Sequence, residues 1–235
     1  GSDGLARLWD LDSKDLRATL PVEAERGAPL LDLQWNPRSD RLALAADDGR
    51  VHLVGISTID GQPNMSDILT GHTGPVRALA FSPDGVHLAT AGDDGLVRVW
   101  FLTALEQRDA PPPVLSDSLA GHLGPVRSLA FTADGRLLSA GDDATVHVWR
   151  LPEPGPPQVL RGHQGPIWQV RPFPQRDAIL TASADGSARV WPLAGGPAEL
   201  LLGHADAVWV ATPSPDGQRI LTTSSDGTAR LWRRE

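Results

Sequence analysis

One phrase of about thirty residues recurs along this chain, and the recurrence constrains the fold more than any local feature does. Residues 71–100 read GHTGPVRALAFSPDGVHLATAGDDGLVRVW, and close variants occupy 121–149, 162–191 and 203–232. Repetition at this period makes each copy one supersecondary unit that depends on its neighbours to cover its apolar faces. Every copy opens with Gly-His. An alternating apolar run follows (VRALAF, VRSLAF, IWQVRP, VWVATP), then a turn, a second short apolar run, and a third that places Trp after an Asp and five intervening residues. The inner turns are SPDG, TADG, PQRD and SPDG. Pro presets φ in such turns and Gly supplies positive φ. Runs of four to six apolar residues bounded by Gly, Pro, Asp and Ser are strand signals. No ten-residue stretch carries credible helix caps. The chain therefore reads as all-β.

The remaining residues are worn copies and connectors. SDGLARLWD (residues 2–10) matches the end of the phrase, and a strand is expected at 16–20. The next copy is degenerate. Aligning Trp35 with Phe81 puts Glu25 and Arg26 where Gly-His should stand, Leu44 at the place of Thr90 and Val54 at the place of Trp100; only Asp48 is kept. The copies divide a single domain, 1–235, into a partial first blade at 1–22 and blade motifs at 23–56, 67–103, 115–151, 158–193 and 198–235. Connectors at 57–66, 109–118 and 151–157 contain Gly or Pro, and the Pro-rich ones should be extended.

Composition excludes several classes. Hydrophobic residues make up 40% of the 235, and no apolar run approaches the roughly 18 needed to span a membrane. The net charge of −8 argues against nucleic acid as the main partner. With no cysteine there is neither a disulfide nor a Cys-ligated metal, which suits a reducing, cytoplasmic setting. Lys14 is the one lysine against twenty arginines, which points to a GC-rich, bacterial coding sequence.

With Gly-His, the Asp turn and the closing Trp in hand, the chain resembles the WD-repeat (tryptophan–aspartate) β-propeller family across essentially all of its residues. The resemblance implies four-stranded blades round a central channel. It also implies a buried hydrogen-bonded set in each good repeat: Trp100, Thr90, His72 and Asp94; Trp149, Ser139, His122 and Asp143; Trp191, Thr181, His163 and Asp185; Trp232, Thr222, His204 and Asp226. The chemistry agrees, because an indole N–H, a hydroxyl, an imidazole and a carboxylate can satisfy one another in series. A half-made network is worse than none. Accordingly, the degenerate copy loses His, Ser/Thr and Trp together. The family's closing Asp survives only at Asp10, with Phe101, Arg150, Pro192 and Arg233 elsewhere.

Asp, His and Ser/Thr in one repeat also spell a hydrolase triad. Fourfold recurrence and a Trp on each hydroxyl favour the structural reading, so no catalytic residue is assigned. No metal or cofactor is expected either. The Gly-His histidines sit one per blade, too far apart for bonds of about 2.0–2.1 Å to a shared ion. His52, His87 and His147 read as surface residues. The Asp-Asp turns lack the spacing of a calcium loop, and Lys14 lacks the glycine-rich approach of a phosphate loop. Arg7, Arg98, Arg189 and Arg230 share one closing-strand position, where their stems should cover apolar surface while their heads stay wet.

One constellation points to binding. In the family, the residue after the first apolar position of the innermost strand often lines the channel mouth. Here that gives Leu31, Arg77, Arg127, Trp168 and Trp209. Two Arg and two Trp at one opening suit an acidic or aromatic protein segment, and these residue types dominate binding hot spots. The competing possibility is that they stack on one another or pair with Asp32 and Asp206.

The strand count comes to about 21, with four complete blades, two outer strands in the first and three inner strands in the sixth. The family typically closes a ring of seven. The expectation is a non-catalytic protein–protein scaffold or sensor, the C-terminal part of a larger bacterial signalling protein. The alternatives are a stand-alone assembly subunit and, third, an enzyme with a site in the channel.

Overall fold

The computed structural model describes residues 2–21, 28–56, 63–102, 112–152, 154–174 and 176–233. Glu25 and Arg26 of the degenerate copy, residues 57–62 and 109–111 of two connectors and residue 153 of the third lie outside them. The described residues form 21 strands and no helix. They fall into two units, residues 1–120 and 121–235.

In the first unit, β1 (Leu5–Trp9) and β2 (Leu16–Pro21) form a two-stranded sheet. β3 (Leu30–Trp35), β4 (Arg41–Ala46), β5 (Val51–Ile56) and β6 (Pro63–Leu69) form the second blade. β7 (Val76–Phe81), β8 (His87–Gly92), β9 (Val97–Phe101) and β10 (Val114–Leu119) form the third. The second unit has a fourth blade of β11 (Val126–Phe131), β12 (Leu137–Gly141), β13 (Thr145–Trp149) and β14 (Gln158–Arg161). The fifth is β15 (Ile167–Pro172), β16 (Ala178–Ser183), β17 (Ala188–Pro192) and β18 (Glu199–Leu201). The sixth has three strands, β19 (Val208–Pro213), β20 (Arg219–Ser224) and β21 (Ala229–Arg233). All pairings are antiparallel between strands consecutive in sequence, so each blade is a meander joined by the short turns that Gly and Pro mark.

The second strands explain themselves. RLALAA, LLSAG and AILTAS are buried along their whole length, with small and large residues on both faces. A strand covered on two sides carries apolar residues on two sides. In the first unit Ala43, Ala45, Val51 and Leu53 of the second blade meet Val76, Leu79 and Leu88 of the third. In the second unit Leu180, Ala182 and Val190 meet Val208, Ala211 and Ile220. Full burial of one such Leu, Ile or Val contributes about 1.5–3 kcal/mol.

Every inner strand carries the same irregularity. Its register against the second strand slips at Leu30/Asp32, Val76/Ala78, Val126/Ser128, Ile167/Gln169 and Val208/Val210. The extra residues are Leu31, Arg77, Arg127, Trp168 and Trp209. A bulge re-aims the side chain it carries. The inner strand also needs partners for its free edge, and polar side chains of the preceding blade supply three. The Leu79 N–H donates to Asp32 Oδ2 at 2.8 Å, Val170 N–H to Ser128 Oγ at 3.1 Å and Ala211 N–H to Gln169 Oε1 at 3.0 Å.

The closing strands differ from expectation on their outer face. His52 and His147 are not surface residues; they are 1% and 3% exposed. His87 is half-buried against Phe101. Nor does Arg98 keep its head in water: it is buried, and its guanidinium donates to Asp94 Oδ2 at 2.7 Å. Over His147 and Arg98 the cause is the Gly-His segment, which roofs this face of its own blade. Glycine leaves a hollow there: a Cβ on Gly121 would fall 2.9 Å from the His147 ring, and one on Gly203 2.6 Å from the Arg230 guanidinium. Arg7 stays exposed and pairs with Asp3.

Candidate functional site

The four repeated polar sets assemble in series, each within its blade. In the third, Trp100 Nε1 donates to Thr90 Oγ1 at 3.0 Å, the hydroxyl lies 2.8 Å from His72 Nε2, and His72 Nδ1 lies 3.0 Å from Asp94. The corresponding distances are 2.9, 2.8 and 3.0 Å in the fourth blade. They are 2.9, 2.7 and 2.7 Å in the fifth and 2.9, 2.8 and 2.8 Å in the sixth. One tautomer satisfies every group. The indole N–H donates to the hydroxyl, the hydroxyl to Nε2, and Nδ1–H to the carboxylate. Thr90, Ser139, Thr181 and Thr222 are all 0% exposed. A hydroxyl sealed from solvent and occupied by an indole cannot reach a substrate carbonyl, so these sets are braces and not triads.

Each carboxylate is held at several points. It accepts the backbone N–H after the histidine, at 3.0 Å from Leu123, Gln164 and Ala205. Thr145, Ser187 and Thr228 add a hydroxyl. Leu96 stands at that place in the third blade, and there Arg98 substitutes. Burial alone would raise Asp185, but the Ser187 hydroxyl, the Gln164 N–H and His163 outweigh it and hold the carboxyl at about 2. The same balance keeps Asp143 low. Burial pushes His72 and His163 below the ordinary imidazole range despite the neighbouring carboxylates. In the degenerate second blade Leu44 and Val54 fill the equivalent space, buried and apolar. Asp48 still accepts the Arg50 N–H across its turn at 3.0 Å.

The bulge residues have a different character. Leu31 and Arg77 belong to the first unit, where Leu31 is exposed and Arg77 forms a two-pronged pair with Asp93, both bonds at 2.7 Å. In the second unit Arg127, Trp168 and Trp209 come together as a row. Arg127 grips Asp142 at 2.8 and 2.6 Å and lies 5.8 Å over the Trp168 ring. Trp168 stacks on Trp209 with centroids 5.0 Å apart and planes 24° from parallel. Trp209 donates its indole N–H to Ser225 at 2.6 Å and is 47% exposed.

The acids paired with the arginines are thus Asp93 and Asp142, not Asp32 and Asp206. Asp32 instead accepts the Leu33 and Leu79 N–H groups, and burial raises its carboxyl. The sequence held a signal for this. Arg at the bulge goes with Asp-Asp at the later turn (Arg77 with Asp93-Asp94, Arg127 with Asp142-Asp143). Trp goes with Ala184-Asp185 and Ser225-Asp226. The second Asp serves the histidine and the first serves the arginine. Leu31 with Asp47-Asp48 departs from that pattern.

A cleft of about 510 Å³ lies between the inner turns of the fourth and fifth blades, lined by Phe173, Arg176, Leu193 and Arg136 among others. Its two carboxylates, Asp134 and Asp177, both bond Arg136.

Comparison with known proteins agrees with the blade architecture. The family profile described as "WD domain, G-beta repeat" matches residues 63–100, 114–150, 155–192 and 196–233, more than half of the chain. The chain is 28% identical over 182 residues to the chromatin assembly factor 1 subunit FAS2 homolog of Oryza sativa subsp. japonica, covering 74% of this chain and 35% of that protein. It is 29% identical over 174 residues to WD repeat-containing protein 55 of Pongo abelii, covering 73% and 43%. It is 34% identical over 143 residues to striatin-3 of Bos taurus, covering 54% and 18%. The chain spans less than half the length of each.

Proposed function

The chain belongs to the WD-repeat family, and we propose that it is a non-catalytic platform for protein–protein recognition, with its contact surface centred on Arg127, Trp168 and Trp209. The observation that carries the proposal is the open end of that row: Trp209 keeps 47% of its surface in solvent while its polar edge is satisfied by Ser225. A rigid aromatic face with no unmet polar demand loses little entropy on binding and gives up apolar area readily. Each arginine already holds a carboxylate, so an acidic group on the partner would exchange with Asp142 and would not meet a bare cation. The partner best matched is a protein segment with an aromatic or aliphatic side chain flanked by an acid. By the geometry of the family, the row would stand at the mouth of the channel.

One relative is named as a subunit of a chromatin assembly factor, which supports the scaffold class. The finer setting, a larger bacterial signalling protein in the cytoplasm, rests on the arginine-for-lysine bias and the absence of cysteine. The relatives named above are eukaryotic and add nothing to it. A peptide library varied at one aromatic and one acidic position, read by fluorescence anisotropy, tests the proposal. Trp209→Ala should weaken the best binders at least about 30-fold, as a hot-spot loss of 2 kcal/mol requires. Arg127→Ala should weaken acidic peptides more than neutral ones. Binders indifferent to both substitutions would sink it.

A further inference from the structure

The fourth blade breaks the repeat at one buried position. Where the third, fifth and sixth blades have Arg98, Arg189 and Arg230, it has His147. In the third blade the arginine brings a cation to the His–Asp pair: Arg98 lies 2.7 Å from Asp94 and 2.8 Å from His72 Nδ1. In the fourth, His147 lies flat on His122 with ring centroids 4.0 Å apart and planes 21° from parallel. It is only 3% exposed, and its Nδ1 has no hydrogen-bond partner among the described residues. One donor atom from each of His122, Asp143 and His147 falls within 4.8 Å of the others.

We propose that His122, Asp143 and His147 form a binding site for one divalent transition cation of the zinc type. Two neutral imidazoles and one carboxylate are a donor set that such ions take. Bonds of about 2.0–2.1 Å place neighbouring donors about 2.9–3.4 Å apart. The 3.0 Å between His122 Nδ1 and Asp143 Oδ2 already meets that span, and His147, whose donor lies within 4.8 Å, reaches the ion by turning its ring off the His122 face so that its in-plane lone pair points at the cation. Proton accounting is simple. The His122 Nδ1 proton leaves to solvent as the cation binds, Nε2 takes one up and donates it to Ser139 Oγ, and the Ser139 O–H that had donated to Nε2 turns away from the ring. The cation supplies the positive charge that arginine brings in the third blade.

The test uses the full chain stripped with a chelator, then titrated with Zn²⁺ by calorimetry and with Co²⁺ by visible absorption. One Zn²⁺ per chain is expected at micromolar affinity or tighter, with a Co²⁺ d–d band. His147→Arg installs the residue of the sister blades. It should lower affinity at least about 100-fold, as loss of a direct ligand does more than loss of its support. His147→Gln serves as a second variant should the arginine disturb folding. His87→Ala, at a half-buried histidine outside the set, should change nothing. The proposal is overturned by absence of stoichiometric binding, by affinity in both His147 variants undiminished from that of the native chain, or by loss of binding in His87→Ala.

Discussion

Replacing Thr181 with Val isolates the value of one hydroxyl, because the two side chains have nearly the same shape. Thr181 is fully buried, accepts the Trp191 indole N–H at 2.9 Å and lies 2.7 Å from His163 Nε2. Valine opens no cavity, so the cost is that of two orphaned polar groups. At about 1–3 kcal/mol each, that comes to about 2–6 kcal/mol. For a chain of this length, about 3 kcal/mol lowers Tm by about 6–12 °C. The cycle is closed with Trp191→Phe, which removes the indole donor while Thr181 keeps His163. In the double variant only His163 Nε2 is orphaned. Thr181→Val should therefore cost about 1–3 kcal/mol less in the Trp191→Phe background than in the native one. Urea midpoints by far-UV circular dichroism and by fluorescence, required to coincide, give the free energies. Costs that add to within about 0.5 kcal/mol would mean that the indole and the hydroxyl act independently of each other, and the reasoning would fail.

Three further outcomes follow from individual side chains. Asp32→Asn should cost less than Asp32→Ala at pH 7: its amide oxygen still accepts the Leu79 N–H, its amino group cannot serve the Leu33 N–H, and alanine serves neither. Asp32→Ala should lose about 1–3 kcal/mol by orphaning the Leu79 N–H, and thermal unfolding separates the two. Ala144 occupies a left-handed turn position at φ 60°, where Gly95, Gly186 and Gly227 stand in neighbouring blades; Ala144→Gly should raise stability by about 0.5–1 kcal/mol, read as Tm. Asp185 is held at about 2 against an ordinary 3.8, so its contribution is complete above about pH 4 and lost as pH falls toward 2. After allowance for solvent screening this is about 1–2 kcal/mol, and Asp185→Asn should flatten the acid limb of the stability curve by that amount.

How much of this was legible in the sequence follows from what repetition can and cannot express. The His–Ser/Thr–Trp–Asp sets were readable because four copies repeat both spacing and residue type, and because the degenerate copy drops its partners together. Strand order was readable because the turns are spelled in Gly, Pro and Asp. Burial of the closing-strand face was not. Alternation places His147 and Arg98 opposite the apolar Val146, Val148, Val97 and Val99, which in an isolated sheet is the solvent side. Only the fold brings the Gly-His segment over that face, and only glycine makes the roof fit it, so a residue that looks solvated by periodicity is sealed by a loop twenty-six residues earlier. The arginine partners lay between these extremes. Each Asp-Asp turn gives two identical residues two jobs, and the choice of partner depends on the bulge that turns Arg77 and Arg127 toward the first Asp. Periodicity is blind to a bulge, since it inserts one residue and restores the alternation beyond it. The inter-blade bonds from Asp32, Ser128 and Gln169 share that cause. They occupy one strand position but span three residue types, joined by nothing except a carbonyl, carboxylate or hydroxyl oxygen within reach of the next strand's N–H. A position defined by a lone pair and not by a residue name leaves no repeat to read, and in this chain such positions tie the second blade to the third, the fourth to the fifth and the fifth to the sixth.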